Sequence, residues 1–195
     1  MLEVGALSTT NACSTSGLFG EIERIDLNSQ SPGIRKQDFM ERPLPRLAAG
    51  EEGDKERFDV LSLSLVLNFV PTAEGRGEML RRTNKFLRRN PDNNSASTNT
   101  AKPAEEDFFP SLFLVLPLPC VTNSRFLSDE RLCHIMSTLG YALRQRKQTR
   151  KLVYYLWVLR GQAVEQAEQE RWGKLEVRPG GGRNNFAVVL EKEEG

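Results

Sequence analysis

The chain has 195 residues, 38% of them hydrophobic and 27% charged, which suits one domain with some loose surface segments. Lys and Arg total 27 against 26 Asp and Glu, a net charge of +1, so any nucleic-acid surface must come from a local cluster. One histidine, three scattered cysteines and no GxxxxGK[ST] loop exclude Ser-His-Asp machinery, HExxH zinc sites, disulfide frameworks and P-loop phosphoryl transfer.

Short β-like runs alternate with amphipathic helical runs along the chain. Residues 2–7 (LEVGAL) read as a first strand and 22–28 (IERIDLN) as a second, closing on Asp26. Residues 34–40 (IRKQDFM) read as a third short strand. Residues 59–69 (DVLSLSLVLNF) form a long buried run, the strongest strand signal. Residues 74–89 are helical, with Met79, Leu80, Phe86 and Leu87 on one face. Residues 112–116 (LFLVL) are a strand stopped by Pro117 and Pro119. Residues 128–147 read as one helix, N-capped by Ser128, with Asp129 and Glu130 in its first turn. Residues 151–160 (KLVYYLWVLR) are a strand, 162–172 a short helix, 179–183 (PGGGR) a turn, and 186–192 (FAVVLEK) a closing strand. Residues 90–107, rich in Asn, Ser, Thr, Pro and Glu, read as a disordered insertion, and 47–57 as a smaller loop. The implied fold class is α/β, a doubly wound, mostly parallel sheet in one domain over 1–195. The apolar runs fall short of the ~18–20 residues that span a bilayer, and the opening residues lack a basic n-region. A reducing intracellular setting, without membrane or metal, is expected.

In such a sheet a ligand sits beyond the carboxyl ends of the strands, at the switch point of strand order. Gly5 ends the first strand, where a missing Cβ admits close approach. Its surroundings are no GxGxxG loop, which argues against a dinucleotide. Asp26 follows Gly5 by 21 residues and ends the second strand, where a carboxylate accepts ribose hydroxyls. Asp38 and Phe39 end the third strand, suited to an adenine amine and ring face; Phe39 in the core and Asp38 capping a turn is the competing account. Ser62, Ser64 and Asn68 interrupt the fourth strand. Asn68 and Phe69 past its end suit a base edge and a base face, and Pro117–Cys120 would wall the same cleft. Two basic clusters stand out, Arg81, Arg82, Lys85, Arg88 and Arg89 on one helix and Arg144, Arg146, Lys147, Arg150 and Lys151 at the end of another. Each is a solvated face or a phosphate-contact surface. His134 reads as structural.

Residues 2–7, 24–30 (RIDLNSQ), 37–45 (QDFMERPLP), 58–71 (FDVLSLSLVLNFVP), 76–82 (RGEMLRR), 116–125 (LPLPCVTNSR) and 151–157 (KLVYYLW) together resemble the fungal 25S ribosomal RNA adenine-N1 methyltransferases. The same family includes an animal S-adenosylmethionine sensor upstream of the TOR complex. The resemblance implies a seven-strand, Rossmann-like methyltransferase sheet. It implies S-adenosyl-L-methionine bound through Gly5 and Asp26, and a nucleolar enzyme acting on large-subunit rRNA in the pre-ribosome. Family members carry a sizeable region before strand one, so an N-terminally truncated sheet is expected. Adenine N1 has a free lone pair and a sulfonium methyl is already activated, so positioning suffices and no base is required. N1 lies on the Watson–Crick edge, so the adenine must leave its pair. The competing functions are a non-catalytic cofactor sensor and a methyltransferase for protein or small molecules.

Overall fold

The computed structural model describes residues 1–29, 31–46, 56–88, 108–161 and 173–191. Among the described residues seven strands form one sheet: β1 Leu2–Val4, β2 Glu23–Asp26, β3 Arg35–Lys36, β4 Val60–Ser64, β5 Ser111–Pro117, β6 Tyr141–Gln148 and β7 Leu152–Leu159. Their order is β3-β2-β1-β4-β5-β7-β6. Strands β3 to β5 run parallel, and β7 pairs antiparallel with both β5 and β6. This is the mostly parallel α/β sheet that the alternation of runs implies, with the seven strands that the resemblance implies. The reversal of strand order falls between β1 and β4, which sets the switch point at their carboxyl ends.

Helices among the described residues are α1 Ala12–Thr15, α2 Ala73–Phe86, α3 Pro119–Thr122 and α4 Asp129–Thr138, with a 3-10 turn at Leu67–Phe69. Each longer helix begins as its sequence dictates: Thr72 Oγ1 accepts from Gly75 N (3.0 Å) and Ser128 Oγ from Arg131 N (3.1 Å). Helix α2 buries Met79, Leu80, Thr83 and Phe86. The core joins that stripe to Leu61, Leu63, Leu112, Leu114 and Leu116 of the central strands and to Trp157 and Tyr155 of β7.

Three expectations need correction. The helix read over 128–147 stops at Thr138, because Gly140 takes φ +84° and turns the chain into β6. The sequence of β6 (YALRQRKQ) is full of helix formers. Pairing with β7 overrides that local preference. Residues 186–190 form no sheet strand. They make an extended strap across α2, where Val189 N donates to Ala73 O (3.0 Å) and Arg76 Nη1 donates to Ala187 O (2.9 Å). Val188, Val189 and Leu190 are buried there. The third strand keeps only Arg35–Lys36, since β2 reaches β3 in eight residues, too few for a helical crossover. The insertion at 90–107 and the helix at 162–172 lie outside the described residues, as does most of the loop at 47–57. No helix among the described residues is long and apolar enough to cross a membrane.

Candidate functional site

Gly5 and Asp26 stand on adjacent strand tips, since Ile25 O accepts from both Gly5 N (2.9 Å) and Ala6 N (3.2 Å). Gly5 has φ +73°, and a Cβ added there would lie 2.4 Å from Val66 Cγ2. The space freed by the missing side chain therefore belongs to Val66 rather than to a ligand. The glycine lets the chain leave β1 sharply while the loop after β4 packs against it. The Asp26 carboxylate is half-buried, and its Oδ1 accepts from Asn28 N (2.7 Å). Its Oδ2 has no partner among the described residues, so it can accept a hydroxyl.

A group that the sequence does not single out sits two residues before Gly5. Glu3 is buried in β1, where its Oε1 accepts from Asn11 Nδ2 (2.6 Å) and Arg24 Nε lies 3.5 Å from Oε2. Burial pushes its carboxyl above the usual glutamate range, against the pull of Asn11 and Arg24. Asn11 Oδ1 caps α1 through Ser14 N (3.1 Å), and Arg24 Nη2 donates to Ser14 Oγ (2.6 Å). This network anchors residues 6–16 above the strand tips. The signal in the sequence was an acid between two apolar residues of a strand too short to expose it.

Asp38 lines a cleft of about 530 Å³ with Leu27, Lys36, Gln37 and Glu41. Its Oδ1 caps a local turn by accepting from Met40 N (2.7 Å). Phe39 is corrected outright: it is 2% exposed, packs on Phe86 with ring centroids 5.3 Å apart, and offers no face to a nucleoside. The core account was the right one, because the short β3 drops the chain inward at that residue.

Beyond β4 the backbone is strained at Leu65, a non-glycine residue with φ 60°. That residue swings the chain into the 3-10 turn Leu67–Phe69, which buries Leu67 and leaves the Phe69 ring 80% exposed. Asn68 lies between them, and its Oδ1 is buried with no hydrogen-bond partner. Asn68 is one wall of a cavity of about 650 Å³ shared with Thr72, Arg76, Cys120, Asn185 and Phe186. Buried polar atoms are nearly always satisfied, so an orphaned acceptor beside a cavity is a candidate ligand contact. The Cys120 thiol is held protonated, pushed up to about 11 by burial. Arg76 sits over the Phe186 ring at 4.4 Å and braces the wall. Ser62 is buried within β4, while Ser64 stands exposed at its tip. A larger cavity of about 970 Å³, lined by Met1, Glu21, Arg42, Phe58 and Asp59, opens at the amino end of the strands, away from the switch point.

Three arginines of the first basic cluster do structural work. Arg82 donates to Phe39 O (3.3 Å) and to Arg42 O, Arg81 to Glu191 O (2.5 Å), and Arg88 pairs with Asp59 (2.5 Å). The phosphate-contact reading therefore loses Arg81, Arg82 and Arg88; Arg89 lies outside the described residues. The second basic cluster sits on β6 and its turn rather than on a helix end.

Over residues 1–188 the sequence matches the family described as 25S rRNA (adenine(2142)-N(1))-methyltransferase, Bmt2. The chain belongs to the Bmt2 family. The Bmt2-family chain is 38% identical over 188 residues to the 25S rRNA adenine-N(1) methyltransferase of Schizosaccharomyces pombe, covering 96% of itself and 59% of that protein. To the 25S rRNA (adenine(2142)-N(1))-methyltransferase of Saccharomyces cerevisiae it is 37% identical over 189 residues, covering 97% of itself and 48% of the relative. The Bmt2-family chain thus spans about half the length of the curated relatives it matches.

Proposed function

We propose that this chain is the S-adenosylmethionine-binding domain of a methyltransferase that modifies N1 of an adenine in large-subunit rRNA. The observation that carries the reading is Asn68, which lines a cavity beside the switch point, has an orphaned Oδ1 and stands next to an exposed aromatic ring. Both relatives named above are adenine-N1 methyltransferases of 25S rRNA, which supports the same substrate class here.

The residues present fit the cofactor. Asp26 Oδ2 is open to a ribose hydroxyl at a strand tip, and Gly5 turns the neighbouring tip away from it. Glu3 and Asn11 fix the loop that follows β1 beside these tips. S-adenosylmethionine, when bound, supplies an activated sulfonium methyl. Asn68, its amide turned so that Oδ1 reaches the cavity, accepts the adenine N6 amine, and that bond sets the adjacent N1 in one orientation. Phe69 offers its face to the base, which has left its stack to reach the cavity. No residue is asked to remove a proton, because N1 attacks through a free lone pair. Catalysis is orientation.

Titration calorimetry with S-adenosylmethionine tests the cofactor half. Asp26→Ala should weaken binding by about 1.5–3 kcal/mol, the worth of hydrogen bonds to a charged group. Equal affinity would remove Asp26 from the site. Methyl transfer to a large-subunit rRNA fragment tests the rest. Tight cofactor binding without transfer would favour the sensor function instead.

A further inference from the structure

Residues 141–160 carry six basic side chains, Arg144, Arg146, Lys147, Arg150, Lys151 and Arg160, and no acidic one, in a chain whose net charge is only +1. They are β6, β7 and the turn between them. Strand β6 is the outer strand of the sheet, and every residue from Ala142 to Gln148 is exposed. Arg146 is held by Asp129 at 2.6 Å, and Arg144 lies over the Phe108 ring at 4.9 Å. Lys147, Arg150 and Lys151 are exposed, and among the described residues none of the three is in an ion pair.

The pairing register fixes where these charges point. Gln148 lies opposite Val153, and Pro117 lies opposite Leu152. The turn at 149–151 therefore projects at the carboxyl end of β5, the same end as the Asn68 cavity. Leu118 N donates to Lys151 O (2.8 Å), which ties the turn to the segment carrying Cys120, a wall of that cavity. Three strand spacings separate β4 from β6, about 14 Å.

Positive charge on an outer strand also serves to block edge-to-edge pairing. That role needs charge along the open backbone edge and is met by either sign. Arg150 and Lys151 lie in the turn, where there is little edge to guard, and all six charges share one sign. We propose that the β6–β7 turn, through Lys147, Arg150 and Lys151, grips the phosphate backbone of the RNA whose adenine enters the Asn68 cavity. The proposal rests on the RNA reading above. Phosphate contacts of this kind set register and orientation and leave base choice to the cavity.

The test compares the full chain with K147E/R150E/K151E, using a short single-stranded adenine-containing RNA at several salt concentrations. Charge reversal keeps the edge charged, so pure edge protection predicts unchanged RNA affinity. Loss of three phosphate contacts predicts about a hundredfold weaker binding near 0.1 M salt, and a log–log salt slope shallower by about 2. S-adenosylmethionine affinity should stay the same, and K147R/K151R should keep RNA affinity. If the parent chain binds RNA and the reversed variant matches it in affinity and slope, the turn is not the contact and the RNA reading stands. If the parent chain binds no RNA, the proposal falls together with that reading.

Discussion

Gly77 in α2 faces the strap at 186–190, and an added Cβ would lie 1.7 Å from Val189 O and 2.7 Å from its carbonyl carbon. Ordinary carbon–oxygen contacts run about 3.3–3.6 Å, so Gly77→Ala must drive the strap back by roughly 1.5–2 Å. Both clashing atoms are backbone, and no rotamer change relieves them. The retreat breaks the Val189 N to Ala73 O bond (3.0 Å), worth about 1 kcal/mol. It also uncovers part of Val188, Val189 and Leu190, which are buried. Full burial of each is worth about 1.5–3 kcal/mol, so losing near half gives a gross cost of roughly 3–5 kcal/mol. Alanine's better helix propensity returns about 1 kcal/mol. The expected net loss is about 2–4 kcal/mol in urea unfolding, with faster amide exchange across the strap. In a chain ending at Arg183, checked by circular dichroism for an intact sheet, the same substitution should instead gain about 1 kcal/mol. A loss below about 1 kcal/mol in the full chain, or an equal loss in the shortened one, would refute the packing argument.

Asn68→Ala should cut methyl transfer at least tenfold, about 1.4 kcal/mol, while leaving S-adenosylmethionine affinity unchanged. The same variant should melt no lower than the parent, because it removes a buried acceptor that has no partner. Unchanged turnover with a lowered melting temperature would mean Oδ1 is structural. Glu23 gives a pH signature. The Arg42 guanidinium, bonded at 2.8 and 3.0 Å, holds the Glu23 carboxyl below the usual glutamate range. Its stabilisation is therefore present above that range and lost as pH falls through the folded value. The parent's advantage over Glu23→Gln in denaturant midpoint should be full near pH 6 and fade below about pH 4. A constant gap across that window would remove Glu23 from the acid limb.

The strand tips were legible in sequence because a brief run ending at Gly5 and an alternating run closing on Asp26 both read as strands. Asn68 was legible as a polar residue past a buried strand. The strained Leu65 that aims it was not, since leucine carries no left-handed signature. Phe39 misled because a two-residue strand ends before its side chain can reach the tip. Strand β6 misled because long polar side chains favour helices in isolation, and its partner β7 lies later in the chain. Glu3 hid in the first strand because its partners, Asn11 and Arg24, come from a loop and a neighbouring strand. The destinations of Arg81, Arg82 and Arg88 are likewise carbonyls and an acid distant in sequence.

The strap has a bearing on synthesis. Asn185, Phe186 and Ala187 wall the cavity at Asn68, yet they are translated after all seven strands. A nascent chain can complete its sheet and still have one side of that hollow open to water. Closure of that hollow is thus a separate event from folding of the sheet, and a ribosome-bound intermediate with these seven strands in place still has no finished cavity.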